Sequence, residues 1–122
     1  MPGDGAAGDR AVQRLLERSS PTDLPRGEEQ RLVHLATEVW TADVTGRGRG
    51  RWPGYFLSPR AAGSHASYQQ VRVQAGIARK AGGGRVQVQL VWAGTGPAGD
   101  QRDGRLARLL FRILSHRWEP VR

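Results

Sequence analysis

Two runs of alternating side chains, set about a pair of glycines, constrain this chain more than any other feature. Val71, Val73, Ala75 and Ile77 alternate with polar or small residues, and Val86, Val88, Leu90 and Trp92 do the same. A period of two places each set on one face of a strand. Gly82-Gly83 lies between the runs and suits a type I′ turn, whose central residues need positive φ. Pairing about that turn sets Ile77 opposite Val88, Ala75 opposite Leu90 and Val73 opposite Trp92. Both apolar sets then share one face, with Trp92 in the core. The other face carries Gln70, Arg72, Gln74, Gln87 and Gln89. A lone hairpin is not stable, so a helix must cover the apolar face, and a third strand would extend the sheet.

Helical periodicity supplies the cover. Leu32, Leu35, Ala36, Val39 and Trp40 form one apolar stripe, and Glu28 and Glu29 fall where negative charge suits a helix N-terminus. This predicts a core helix over 28–40. Near the C-terminus, Leu106, Leu109, Leu110, Ile113 and Leu114 also fit a helical stripe, with Arg105, Arg108, Arg112 and His116 on another face and Asp103 as a cap. A strand there would mix Leu106, Arg108, Leu110 and Arg112 on one side, so a helix over 104–117 is the expectation. Before the core helix, Asp9 can cap a short helix bearing Val12, Leu15 and Leu16, marginal unless it docks. The expected architecture is α+β: a small single domain with an antiparallel hairpin, of two strands or extended to three, packed against two helices. Residues 1–27 are expected to be a flexible segment with that short helix. Residues 28–118 form the domain, with a basic Gly/Arg-rich loop at 44–54 and a further loop at 58–67.

Charge is segregated along the chain. Between Val44 and Gly99 there is no Asp or Glu, yet Arg47, Arg49, Arg51, Arg60, Arg72, Arg79, Lys80 and Arg85 lie there. Those eight cations account for the formal net charge of +8, because the 11 remaining basic residues meet 11 acidic ones elsewhere. A region of one sign attracts polyanions. The run Gly46-Arg-Gly-Arg-Gly-Arg-Trp-Pro-Gly54 holds four glycines and one proline, so the sequence reads it as a mobile arm. Arginine contacts phosphates and stacks on bases, and an aromatic ring beside it can stack on an unpaired base. Arg47, Arg49, Arg51 and Trp52 are the expected arm, with Arg72 and Arg85 on the Gln-rich hairpin face as its platform. Trp52, between three arginines and Pro53, is the aromatic expected to be exposed.

Other chemistry finds little support. Cysteine is absent, which removes disulfides and thiolate chemistry. His34, His65 and His116 are scattered without metal-ligand spacing, and no serine sits in a nucleophile elbow. Gly94-Thr-Gly-Pro-Ala-Gly99 matches G-x-G-x-x-G, but it follows a hairpin strand rather than opening a βαβ unit, and Pro97 removes an amide N–H. No catalytic residue, cofactor or metal is expected. The N-terminus lacks a basic region followed by an apolar run, and no window is long and apolar enough for a membrane span, so a cytoplasmic protein is expected. The leading expectation is non-enzymatic binding of DNA or RNA with little sequence specificity. The alternative is a small adaptor or regulatory protein docking an acidic protein.

Overall fold

The computed structural model describes residues 5–56, 68–96 and 98–121, so the expected loop at 58–67, Arg60 and Pro97 lie outside the described residues. Two helices, α1 (Gly5–Ser19) and α2 (Arg26–Thr45), precede four strands: β1 (Gln69–Gly82), β2 (Arg85–Thr95), β3 (Gln101–Leu114) and β4 (Arg117–Val121). The strands make one antiparallel sheet in the order β1-β2-β3-β4. The fold is the α+β arrangement of sheet and two helices, with one strand more than the largest sheet expected. No described helix is long and apolar enough to cross a membrane.

The stripe at Leu32, Ala36, Val39 and Trp40 makes α2 the core helix, and it runs five residues past its expected end at 40. It covers one face of the sheet through Ala78, Val86, Val88, Leu90, Trp92, Leu109 and Phe111. Trp92 is 8% exposed, with its ring centroid 4.8 Å from that of Trp40. Gly76 sits directly under α2. A β-carbon there would lie 2.7 Å from Val33 Cγ1 and 3.0 Å from Leu90 Cδ2.

The hairpin forms where expected, but its register moves by one. Gly82 pairs with Arg85, so Gly83 and Gly84 are the central turn residues, with φ of +63° and +74°. A bulge between Lys80 and Gly82 then places Ala78 opposite Val88 and Gly76 opposite Leu90. A second bulge between Val73 and Ala75 restores the expected pair of Val73 and Trp92. Because strand side chains alternate, the slip turns Ala75 and Ile77 away from α2 and brings Gly76 and Ala78 under it.

Residues 104–117 are not a helix. They form most of β3, a turn and the start of β4. Ala107, Leu109 and Phe111 pair with Leu90, Val88 and Val86 on the α2 side. The mixed face that counted against a strand is real: Leu106, Arg108, Leu110, Arg112 and Leu114 share the side away from α2. On β3 that side is open at Leu106, Arg108, Arg112 and Leu114, so it tolerates cations and leucines together, whereas Ala75 and Ile77 on β1 are buried. Ser115 and His116 make the β3–β4 turn, both at positive φ (49° and 65°).

The short N-terminal helix docks along β1, the first edge of the sheet. The Gln13 side chain accepts the Gly76 N–H and donates to the Gly76 carbonyl, both at 2.9 Å, as a neighbouring strand would. Two residues on, the Ala78 N–H donates to Glu29 at 3.0 Å, and the Lys80 N–H donates to Asp23 at 3.1 Å. Each successive outward amide at this end of β1 is therefore closed by a side chain, which protects an edge from unwanted pairing.

Candidate nucleic-acid interface

The Gly/Arg-rich run is built into the fold. Helix α2 ends at the negative end of its dipole, where backbone N–H groups of Gly46 and Tyr68 reach the carbonyls of Ala42 and Val44, and it has no basic residue in its last turn. Arg49 fills that role, donating to the carbonyls of Ala42 (3.1 Å) and Asp43 (2.6 Å), with its guanidinium 5.5 Å from the Phe56 ring centroid. This pulls residues 49–51 into a single 3-10 turn. Arg51 pairs with Glu38 at 2.7 Å and lies 4.5 Å above the Trp52 ring. Trp52 is only 9% exposed and belongs to the core cluster. The ring expected to stack on bases is instead the anchor that returns the run to α2. Of the expected arm, Arg47 alone stays exposed with no side-chain partner among the described residues.

The linear segregation of charge also resolves in space. Three acidic residues of the N-terminal half, Asp9, Asp23 and Glu29, lie against the basic β1. Arg72 pairs with Asp9 at 2.5 Å, and Arg79 pairs with Glu29 while donating to the Ser20 carbonyl. Thus α1 and α2 supply the counter-charges that the 44–99 stretch lacks, and Arg72 is withdrawn from the expected platform.

Arg85 remains, and the register gives it new neighbours. Arg85 stands directly opposite Arg112, and Gln89 opposite Arg108, on the face away from α2. Gln87 faces Leu110 between them. Arg85, Arg108 and Arg112 are exposed, and none makes an ion pair among the described residues. Arg117 lies beyond them on β4, opposite Leu114. The single carboxylate in this part of the register is Glu119, opposite Arg112. Like charges directly across a pair are destabilising, so Arg85 and Arg112 repel each other and, with Arg108, give this part of the face a positive charge. Sequence reading missed Arg108 and Arg112 because it placed them on a helix. No aromatic ring lies in these rows among the described residues: Trp40, Trp52, Trp92 and Phe111 are buried, and the half-buried Trp118, opposite Ile113, packs against the core on the α2 side.

The G-x-G-x-x-G segment joins β2 to β3, and its amides turn inward. Gly96 donates to the Asp100 carbonyl at 2.8 Å, and Gly99 donates to the Gly96 carbonyl at 3.0 Å. The Asp100 carboxylate packs against Gly96 and is held below the usual carboxylate range, chiefly by the hydrogen bond from Arg102 at 2.6 Å. A phosphate approaching Gly96 would meet this negative charge. A groove of about 1040 Å³ between α1, α2 and β1 has two of its charged lining residues, Glu29 and Arg79, already paired. No family model matches this chain, and neither the curated proteins nor the solved structures contain a match.

Proposed function

We propose that this protein binds nucleic acid without catalysing a reaction, using the sheet face away from α2. Arg85, Arg108 and Arg112 neutralise phosphates, while Gln87 and Gln89 offer hydrogen bonds beside them. The observation that carries this reading is the direct opposition of Arg85 and Arg112, with Arg108 on the same face and no ion pair to any of them among the described residues. Affinity comes from backbone charge and carries little sequence information. Without an exposed aromatic in these rows, base stacking contributes nothing, so duplex and single strand bind through the same phosphates. The proposal takes the protein as cytoplasmic, where either DNA or RNA can be met.

The test is fluorescence anisotropy with a labelled duplex and with one of its strands, between about 50 and 200 mM salt. On B-DNA each neutralised phosphate adds about −0.9 to the log–log salt slope, so three arginines give about −3. No binding at about 50 mM salt, or binding indifferent to salt, refutes the proposal. A second reading, an adaptor docking an acidic protein, is favoured by one observation: Leu106 and Leu114 are 47% and 45% exposed among the same arginines. Large exposed apolar side chains beside charges suit a protein partner better than a phosphate backbone.

A further inference from the structure

The two edges of the sheet are treated differently. At β1, side chains close the outward amides of Gly76, Ala78 and Lys80. Their outward direction fixes the rest of the ladder. Gly76 and Ala78 are non-hydrogen-bonded partners of Leu90 and Val88, so those two residues bond instead to Ala107 and Leu109 across the β2–β3 pair. Leu106, Arg108, Leu110, Arg112 and Leu114 consequently point their N–H and C=O groups to the far side of β3. Strand β4 takes those of Leu110, Arg112 and Leu114. Pro120 opposite Phe111 agrees with this phase, because its missing N–H falls on the outer edge. Strand β4 ends at Val121 opposite Leu110, and residues 101–109, paired with β2 on one side, have no strand on the other among the described residues.

Three features make this edge suited to an incoming strand. Leu106 and Arg108 offer backbone donors and acceptors in a regular ladder, and Leu106 is 47% exposed. Below the edge, towards α2, a hollow of about 310 Å³ is lined by Val39, Trp40, Val44, Trp92 and Ala107, with Asp43 and Tyr55 also in its wall. Arg108 lines it as well, and Arg105 stands on the opposite face of β3, both without an ion pair among the described residues. A strand laid here would alternate side chains between the hollow, where Val39, Trp40 and Val44 offer apolar contact, and the side of Arg108.

We infer that the open half of β3 docks an extended segment of a partner protein, alternating acidic and apolar residues, which adds to the sheet beside residues 105–109. Main-chain bonds supply affinity and the alternate side chains supply specificity, as in other strand additions. Charge argues against a second copy of this chain, because antiparallel pairing of β3 with itself would bring Arg102, Arg105 and Arg108 against the same three residues. This inference does not depend on nucleic-acid binding, since polynucleotides cannot continue a peptide ladder.

The probe is a fluorescein-labelled heptapeptide, Glu-Val-Glu-Val-Glu-Val-Glu, titrated against the full chain. It should bind saturably. The same peptide with alternate amides N-methylated keeps its charge but loses one edge of donors, and it should bind at least about tenfold more weakly. A Lys-Val analogue should not bind. Leu106→Pro removes the outward N–H without breaking an internal bond and should cost about as much as N-methylation. Equal binding of the methylated peptide would show attraction by charge alone and overturn the inference. So would no binding of the parent peptide, or a dimer in sedimentation velocity that Leu106→Pro dissolves. If Leu106→Pro does not fold, the two peptides on the unaltered chain still decide the matter.

Discussion

Gly76→Ala tests the packing of α2 on the sheet through one atom. Gly76 does not have positive φ, so alanine can adopt its backbone conformation and the effect is steric. The new β-carbon would stand 2.7 Å from Val33 Cγ1 and 3.0 Å from Leu90 Cδ2, and 3.4 Å from the Gln89 carbonyl. Carbon–carbon contacts are comfortable at about 3.5–4.0 Å. Val33 and Leu90 must leave their rotamers or α2 must lift, and overpacking of this kind costs about 1–3 kcal/mol. Lower entropy of the unfolded chain returns about 0.4–1 kcal/mol. The net expectation is a loss of about 1–2 kcal/mol, or a melting temperature lower by about 4–8 °C for a chain of this size. Val33→Ala alone should cost about 1 kcal/mol, since Val33 is half-buried. In Val33→Ala the nearest obstacle is gone, so adding Gly76→Ala should cost little more. The double-mutant cycle should therefore show a coupling of about 1 kcal/mol. Urea unfolding followed by circular dichroism measures all four states. A Gly76→Ala protein as stable as the original, or strictly additive losses, would refute the packing of α2 on Gly76.

Three shorter predictions follow. Ser115 and His116 hold positive φ without being glycine, so replacing them with Asn-Gly should raise stability by about 1 kcal/mol in a thermal melt, and no gain would contradict a type I′ turn there. Trp52→Ala should cost about 3 kcal/mol or more as a core truncation, and an unchanged melting temperature would return Trp52 to the surface. The carboxyl of Asp100 is depressed mainly by the hydrogen bond from Arg102, so its stabilisation is present above the ordinary carboxylate range and is lost as pH falls through the folded-state value. Asp100→Asn should flatten the acid limb of a pH–melting curve, and an identical limb would remove Arg102 from the account.

Much of the fold is legible in the residues. The alternation at 71–77 and 86–92 specifies the hairpin, and the stripe from Leu32 to Trp40 specifies α2. The bulges are not legible, because a third glycine in the turn leaves two possible centres and the slip at Gln74 depends on what lies above Gly76. Residues 105–114 were ambiguous because Leu106, Leu109, Leu110, Ile113 and Leu114 satisfy a helical period. Phe111 was the discriminating residue: a helix leaves it off the stripe, whereas a strand groups it with Ala107 and Leu109. The candidate site was misplaced for a related reason. An Arg-Gly run reads as mobile when the acids and carbonyls that will hold it, Glu38 and the end of α2, lie elsewhere in the chain. Arg85 was found, but its partners Arg108 and Arg112 depend on pairing β2 with β3.

The most direct measurement compares two charge-matched variants in the same oligonucleotide titration. One carries Arg85→Gln, Arg108→Gln and Arg112→Gln, and the other carries Arg47→Gln, Arg49→Gln and Arg51→Gln. Each loses three charges, so any effect of net charge is equal, and both are read well below their melting temperatures. The sheet variant should lose about 2–3 units of salt slope and at least about tenfold in affinity, while the loop variant, in which Arg47 alone is without a side-chain partner among the described residues, should lose no more than about one unit. Equal losses, or a larger loss from the loop, would contradict the claim that the sheet face is where the polyanion binds.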